Sequence, residues 1–460
     1  MHTYNKSNKF AKSLVNVSVF SQQTTPTTDS ICNHQDSSGK YYRFDKENST
    51  SCINRDKSTM PNLPEEIVTD ILSRLPVNCL MRFKCVCKPW LSLISNPQFA
   101  KTQLKQSRTA SHNTTANLKR LLFLASCPLQ SIDYEAFGNS GGGGGHVSQE
   151  HAYPTRKAPE WDVQIVGSCD GLICLVFDYC NMILWNPSTR VSKELPAPDD
   201  LVDHDQGTFF CGFGCDISID DYKVIKGIFS TASDGLKETK VQVLTLKNNS
   251  WRQIQYGYQS GVSIYGMGTL SNNSLHWLGS KESENGFNNN YCIISFDFSE
   301  ERFEEVGIPD HIDKDYFANL GSMGDSLVIF CNPGGSHFES WVMKDYGVKS
   351  SWTRLFRVSS DTFPGYKYGP TLICFTTQGK AVVDIDESEL ILYNPEEETF
   401  KHFMIKDDWG LFESVVYEES LVSPNGDERH FYEQGLQTVS VHISRTGKQY
   451  NSCSYSPLMQ

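Results

Sequence analysis

The sequence predicts a small all-α N-terminal unit of three helices followed by an all-β, propeller-like domain. Two observations carry this. Residues 61–104 are poor in glycine, punctuated by prolines, and place apolar side chains at helical spacing. From residue 118 onward the pattern changes to short strands bounded by Gly, Asn, Asp and Pro, and one strand–turn–strand unit recurs five times. The composition agrees. Aromatic residues make up 12% of the 460, and 33 glycines favour turns and half-buried strands over a helical bundle.

Residues 1–60 are rich in Ser, Thr, Asn, Lys and Asp without sustained periodicity, so a disordered tail is expected. Lys6, Lys9 and Lys12 precede an apolar run ending at Phe20. Polar residues interrupt that run and no small-residue cleavage site follows, which argues against a signal peptide. The absence of acid before Asp29 leaves an organelle-transit segment as the minor alternative.

The first helix is expected from about Leu63 to Leu75. Asn62 can cap it and Pro64 fits its first turn. Glu65, Glu66 and Asp70 lie towards the positive end of its dipole and Arg74 towards the negative end. Ile67, Ile71 and Leu75 form a stripe that Val68 and Leu72 widen, and Pro76 stops the helix. A second helix is expected from Asn78 to about Cys85, with Leu80, Phe83 and Val86 inward. A third begins near Pro89 and runs through Trp90, Leu91 and Ile94 to Asn96-Pro97, with Phe99 beyond. A domain at 61–104 and a polar linker at 105–117 follow from this reading. Three helices in some forty residues cannot enclose all their apolar side chains, so part of the unit awaits a cover from elsewhere.

The β region spans 118–424. Its repeating unit is an apolar strand, a polar turn, then an aromatic or aliphatic residue opening a second strand. It is seen around Trp185, from Leu244 to Trp251, from Phe296 to Phe303, from Trp341 to Trp352, and from Tyr393 to Phe400. Upstream of most of these lies a second hairpin signal, such as Asp170-Gly171 or Asn272-Asn273. Two hairpins make a four-stranded sheet, and the recurrence of roughly 45–60 residues is that of propeller blades. Five blades are visible. A sixth can be assembled from Leu118–Phe137 and a closing strand within Phe412–Leu421, which would staple the ring and remove long exposed edges. The alternative is a β-sandwich or irregular β domain. The Gly141–Gly145 run lacks the Lys and helix of a phosphate loop and reads as a surface loop, as does Lys281–Asn290. Residues 425–460 read as a disordered or weakly ordered tail.

Formal charge is −13 overall, and residues 61–460 hold 33 Lys/Arg against 49 Asp/Glu. With no basic stripe against that background, nucleic-acid binding is not expected. No stretch is long and apolar enough to span a membrane. The 15 cysteines are odd in number, scattered, and often embedded in apolar runs, as at Cys174 and Cys374. That points to a reducing compartment, cytoplasm or nucleus. Cys79, Cys85 and Cys87 cluster without further ligands at zinc-finger spacing. Neither the carboxylates Asp384, Asp386 and Glu396–Glu398 nor the 12 histidines single out a dyad or metal set. No catalytic residue, metal or cofactor is assigned.

Leu63-Pro64-Glu65-Glu66-Ile67, Ile71-Leu72-Ser73-Arg74-Leu75-Pro76, Leu80 to Trp90, and Ile94 to Phe99 together resemble the F-box over essentially its whole length. Gly167 to Leu172, Leu184 to Arg190, Gly212-Phe213-Gly214, Asp221 to Val224, and Tyr417 to Pro424 are similar to the kelch-like F-box-associated region of plant F-box proteins, including the S-locus F-box-like group. Cys79 and Cys87 stand where Ser is frequent. The resemblance implies a substrate receptor, not an enzyme, for a Skp–cullin–F-box ubiquitin ligase. A Skp-type adaptor and, through it, a cullin–RING scaffold are the implied partners, and the β domain would select an unknown protein target. By the same resemblance Leu63, Pro64, Ile67, Ile71, Leu75 and Pro76 face the adaptor, while Leu80, Val86 and Trp90 are shared between interface and core. Leu72, Phe83 and Ile94 read as core. An acidic β domain would favour basic targets, such as the secreted ribonucleases of the S-locus group. Two other readings stay open: an adaptor-bound binding protein outside any ligase, and a propeller enzyme.

Overall fold

The computed structural model describes residues 63–426, interrupted by connecting segments of which the longest are 110–118, 139–147 and 404–412. The expectations for both tails, for Asn62, for Gly141–Gly145 and for residues 282–289 lie outside the described residues.

Helix α1 spans Glu65–Ser73. Its N-cap is Pro64, without any side-chain cap, and the Pro64 carbonyl accepts the Ile67 and Val68 amides at 3.0 and 3.1 Å. Proline's fixed φ and missing N–H cost nothing at a helix start. Helix α2, Val77–Phe83, begins on Pro76 in the same way, and α3, Lys88–Ile94, carries Pro89 in its first turn. A fourth helix, α4, then runs from Pro97 to Thr109. This corrects the three-helix expectation and places Lys105–Thr109, read as linker, inside a helix. Its buried face is Phe99, Ala100, Gln103, Leu104 and Ser107, so polar residues break up the stripe that would have announced it. Gln103 Nε2 donates to the Leu75 carbonyl and Ser107 Oγ to the Leu104 carbonyl, which offsets part of the cost of burying them.

Among the described residues six sheets follow, each a blade whose main strands pair antiparallel. The first joins Lys119–Leu124, Leu129–Ile132 and Gln149–His151 to the last described strand, Glu413–Glu418, which pairs along Lys119–Leu124. The others occupy 163–194, 207–254, 262–306, 317–359 and 370–403. The innermost strands touch in sequence around the ring, and Glu413–Glu418 closes it. Three strands of this blade come from the segments the sequence reading assembled, and Gln149–His151 adds a fourth from outside them.

The hairpin signals act through backbone geometry. Asp170 and Gly171 (φ 54° and 79°), like Asn272 and Asn273 (48° and 56°), adopt the left-handed pair that a two-residue hairpin needs. Within the blades the polar turns close by a shared device. Asn186 Oδ1 accepts the Ser188 amide and Asp297 Oδ1 the Ser299 amide, each at 2.8 Å, and the residue four on, Arg190 or Glu301, returns its amide to the starting carbonyl. One blade departs from the four-strand expectation. The inner strand of the fourth is interrupted after Ile264, and Gly266–Met267 pairs parallel to the third blade instead. Gly268 permits this because a Cβ there would meet the Trp277 indole, whose N–H donates to the Cys211 carbonyl.

The closing strand is held by a buried polar group. Ser131 Oγ accepts from Arg120 Nε (3.0 Å) and Tyr417 Oη (3.3 Å), which leaves it to donate to His151 Nε2 at 2.8 Å. His151 is therefore neutral. Burial, together with Arg120 and Arg190, pushes its pKa down to about 4, and burial does the same to His276 in the fourth blade. An unfolded histidine titrates near pH 6.5. The stability both rings confer is complete above that value and is lost as pH falls towards 4, by on the order of 2 kcal/mol each. Thermal midpoints of wild type should fall across this window, and His151→Gln should show a shallower fall. Equal slopes would show that His151 is not neutral-selected by the fold.

Candidate partner-docking face of the helical unit

The interior of α1–α4 is built from Leu72, Val77, Leu80, Phe83, Trp90, Ile94, Phe99 and Ala100, with the Phe83 and Trp90 rings 5.4 Å apart. Leu72, Phe83 and Ile94 are core, as expected. What this interior leaves outside is apolar too. Leu63 is 47% exposed and Ile67 45%, with Pro64 exposed between them. Ile71, Leu75, Pro76 and Val86 are half-buried. Trp90 retains 9% exposure and Leu80 none, so in the free protein Leu80 packs in the interior and not on the open surface. Leu91, 38% exposed on α3, belongs to the open surface and was missed, because nothing in its spacing separates it from its buried neighbour Trp90.

The unit is fastened to the propeller through α4 and the segment after the closing strand. Arg108 Nη2 donates to Asp170 Oδ1 at 2.7 Å and Arg108 Nε to Glu418 Oε2 at 2.9 Å. Asp170 is the hairpin turn of the second blade, and its other oxygen accepts from Tyr222 Oη at 2.8 Å. Burial works against the guanidinium charge, but Glu418 and Asp170 outweigh it and hold Arg108 more firmly protonated than usual. Next to Glu418, Ser420 Oγ donates to the Asp170 carbonyl at 2.7 Å, and Asn186 Nδ2 donates to the carbonyls of Ser420 and Val422. Gly171 is required here, since a Cβ would run into Ser420 Oγ and the Glu418 carbonyl. Leu421 then inserts into the core of the helical unit, while Val422 joins Leu104 of α4 in the core formed with the second and third blades. Lys101 of α4 pairs with Asp220 in the third blade.

Three stretches that resembled the F-box-associated region, around Asp170-Gly171, Asn186 and Tyr417–Pro424, therefore meet at one place, under the helical unit. A family model described as the F-box domain matches residues 60–102, and one described as the F-box associated beta propeller domain matches residues 140–424.

The chain is an F-box protein.

Its α1–α4 unit is the F-box, and its ring is the F-box-associated propeller, which the structure extends back to Lys119. It is similar to F-box protein CPR1 of Arabidopsis thaliana, with 29% identity over 386 residues covering 79% of this chain and 89% of that one. An F-box/kelch-repeat protein of the same plant is 31% identical over 378 residues, covering 79% and 96%. Plant F-box proteins are thus its relatives. Chemically, the face around Leu63, Pro64 and Ile67 offers apolar surface at the head of a helix, with the exposed carboxylates of Glu65 and Glu66 beside it. Among the described residues no three His, Cys, Asp or Glu side chains converge on a common point that could hold a metal.

Proposed function

We propose that this F-box protein is the target-binding subunit of a Skp–cullin–F-box ubiquitin ligase. A Skp-type adaptor covers Leu63, Pro64, Ile67, Ile71, Leu75, Pro76 and Leu91, with Val86 and the edge of Trp90 at its margin, and links the chain to a cullin–RING scaffold. The propeller holds a protein target for ubiquitination and proteasomal degradation. The observation that carries the reading is the exposed Leu63 and Ile67 at the head of α1, apolar surface that a small helical unit has kept outside although its interior is filled. Covering it would remove apolar area from water at about 25 cal/mol per Å².

The helical unit sits at the end of the blades where inner strands turn into second strands, at Asp170-Gly171 and at Asp216–Asp221. The connections from one blade to the next leave from the opposite end, and that face is free of the F-box. None of the ten described cysteines is in a disulfide, which supports a reducing compartment, cytoplasm or nucleus. The test is affinity capture of the full chain with the proteasome inhibited. Adaptor and cullin should co-purify with at least one protein whose half-life lengthens when the chain is removed. Capture of adaptor without cullin, and with no change in any bound protein's half-life, would place the chain outside a ligase.

A further inference from the structure

The helical unit differs in charge from the chain that carries it. Residues 63–109 hold seven Lys/Arg against three Asp/Glu, within a protein of formal charge −13. Arg74, Lys101 and Arg108 are committed to Asp70, Asp220, and the Asp170–Glu418 pair. Arg82, Lys84 and Lys88 are not. They fall within seven residues across the turn from α2 to α3, and among the described residues none of them has an ion-pair partner. Arg82 and Lys88 are exposed and Lys84 is half-buried. Between them lies Val86, half-buried, and beyond them Leu91, exposed. A half-buried ammonium without a counter-charge is costly, and burial holds the Lys84 pKa below the ordinary lysine value. A folded unit has little reason to keep three cations together around apolar positions unless opposite charge arrives from outside.

We infer that Arg82, Lys84 and Lys88 form a basic rim to the docking face, and that the Skp-type adaptor meets them with an acidic surface. The inference rests on the proposed adaptor role and adds the chemistry by which the partner is steered. Apolar contact at Leu63 and Ile67 supplies affinity, whereas long-range attraction at the rim sets how fast the two proteins meet and in which orientation. Such attraction weakens with salt as the screening length shortens.

Stopped-flow association of the full chain with a purified Skp-type adaptor, across a range of salt concentrations, tests this. The wild-type association rate should fall steeply with salt. In R82Q/K84Q/K88Q it should drop on the order of tenfold at low salt and lose most of its salt dependence. The thermal midpoint should not fall, because no intramolecular pair is removed. K105Q, which neutralises another unpaired lysine on α4, should associate at the wild-type rate. A salt-independent wild-type rate, or equal effects of K105Q and the triple variant, would overturn the basic rim while leaving adaptor binding in place. Failure of the wild-type chain to bind the adaptor at all would instead overturn the functional reading beneath it.

Discussion

Replacing Ile67 with aspartate is expected to weaken binding of a Skp-type adaptor by more than a hundredfold and to leave the fold intact. The two halves of this expectation have separate causes. Ile67 is 45% exposed in the free protein, so its removal opens no cavity. It is also the third residue of α1, where a negative charge interacts favourably with the helix dipole. Stability should therefore change by no more than about 0.5 kcal/mol. In the complex, the same carboxylate would be desolvated against an apolar partner with nothing to pair with, at a cost of about 3 kcal/mol or more. Isothermal titration of the full-length variant, beside a circular dichroism melt, measures both. An unchanged affinity would remove α1 from the interface.

The second large effect is expected at Leu421. This residue is 7% exposed and belongs to the core of the helical unit, although it lies more than 300 residues beyond it in sequence. Leu421→Ala should cost about 2–4 kcal/mol through lost burial and the cavity left behind. Leu421→Asp should cost more, because it places an unpaired carboxylate in that core. Amide exchange in α1–α4 should accelerate strongly in the alanine variant, while the fourth and fifth blades, remote from the insertion, should exchange as before. A uniform acceleration across all blades would show that Leu421 supports ring closure instead of the seating of the F-box.

These two residues mark what could and could not be read from the sequence. Ile67 was legible because prolines frame α1 and its apolar residues recur every fourth position. The ring was legible for a similar reason. Paired turn signals such as Asp170-Gly171 and Asn272-Asn273 demand left-handed backbone, and aromatic residues open the strands that follow. Helix α4 was not, because Gln103 and Ser107 occupy buried positions, Gln103 bonding to Leu75 28 residues earlier and Ser107 to Leu104 in its own turn. The fastening of the two units was hidden by distance. Arg108 reaches partners 62 and 310 residues away, and no local pattern distinguishes such an arginine from a solvated one. The path of Gly266–Met267 into the neighbouring blade depends on the room that Gly268 leaves for Trp277, a contact between blade layers. Short-range rules find strands and helices, whereas the way this F-box is bolted to its propeller is written in pairs that only the closed ring brings together.

Hydrogen–deuterium exchange of the full-length wild-type chain, with and without a purified Skp-type adaptor, tests the central claim most directly. Protection should appear across α1 to α3, strongest around Leu63–Ile71, while the six blades keep the exchange rates of the free protein. Protection on the blades with none on α1, or no difference anywhere at saturating adaptor, would contradict it.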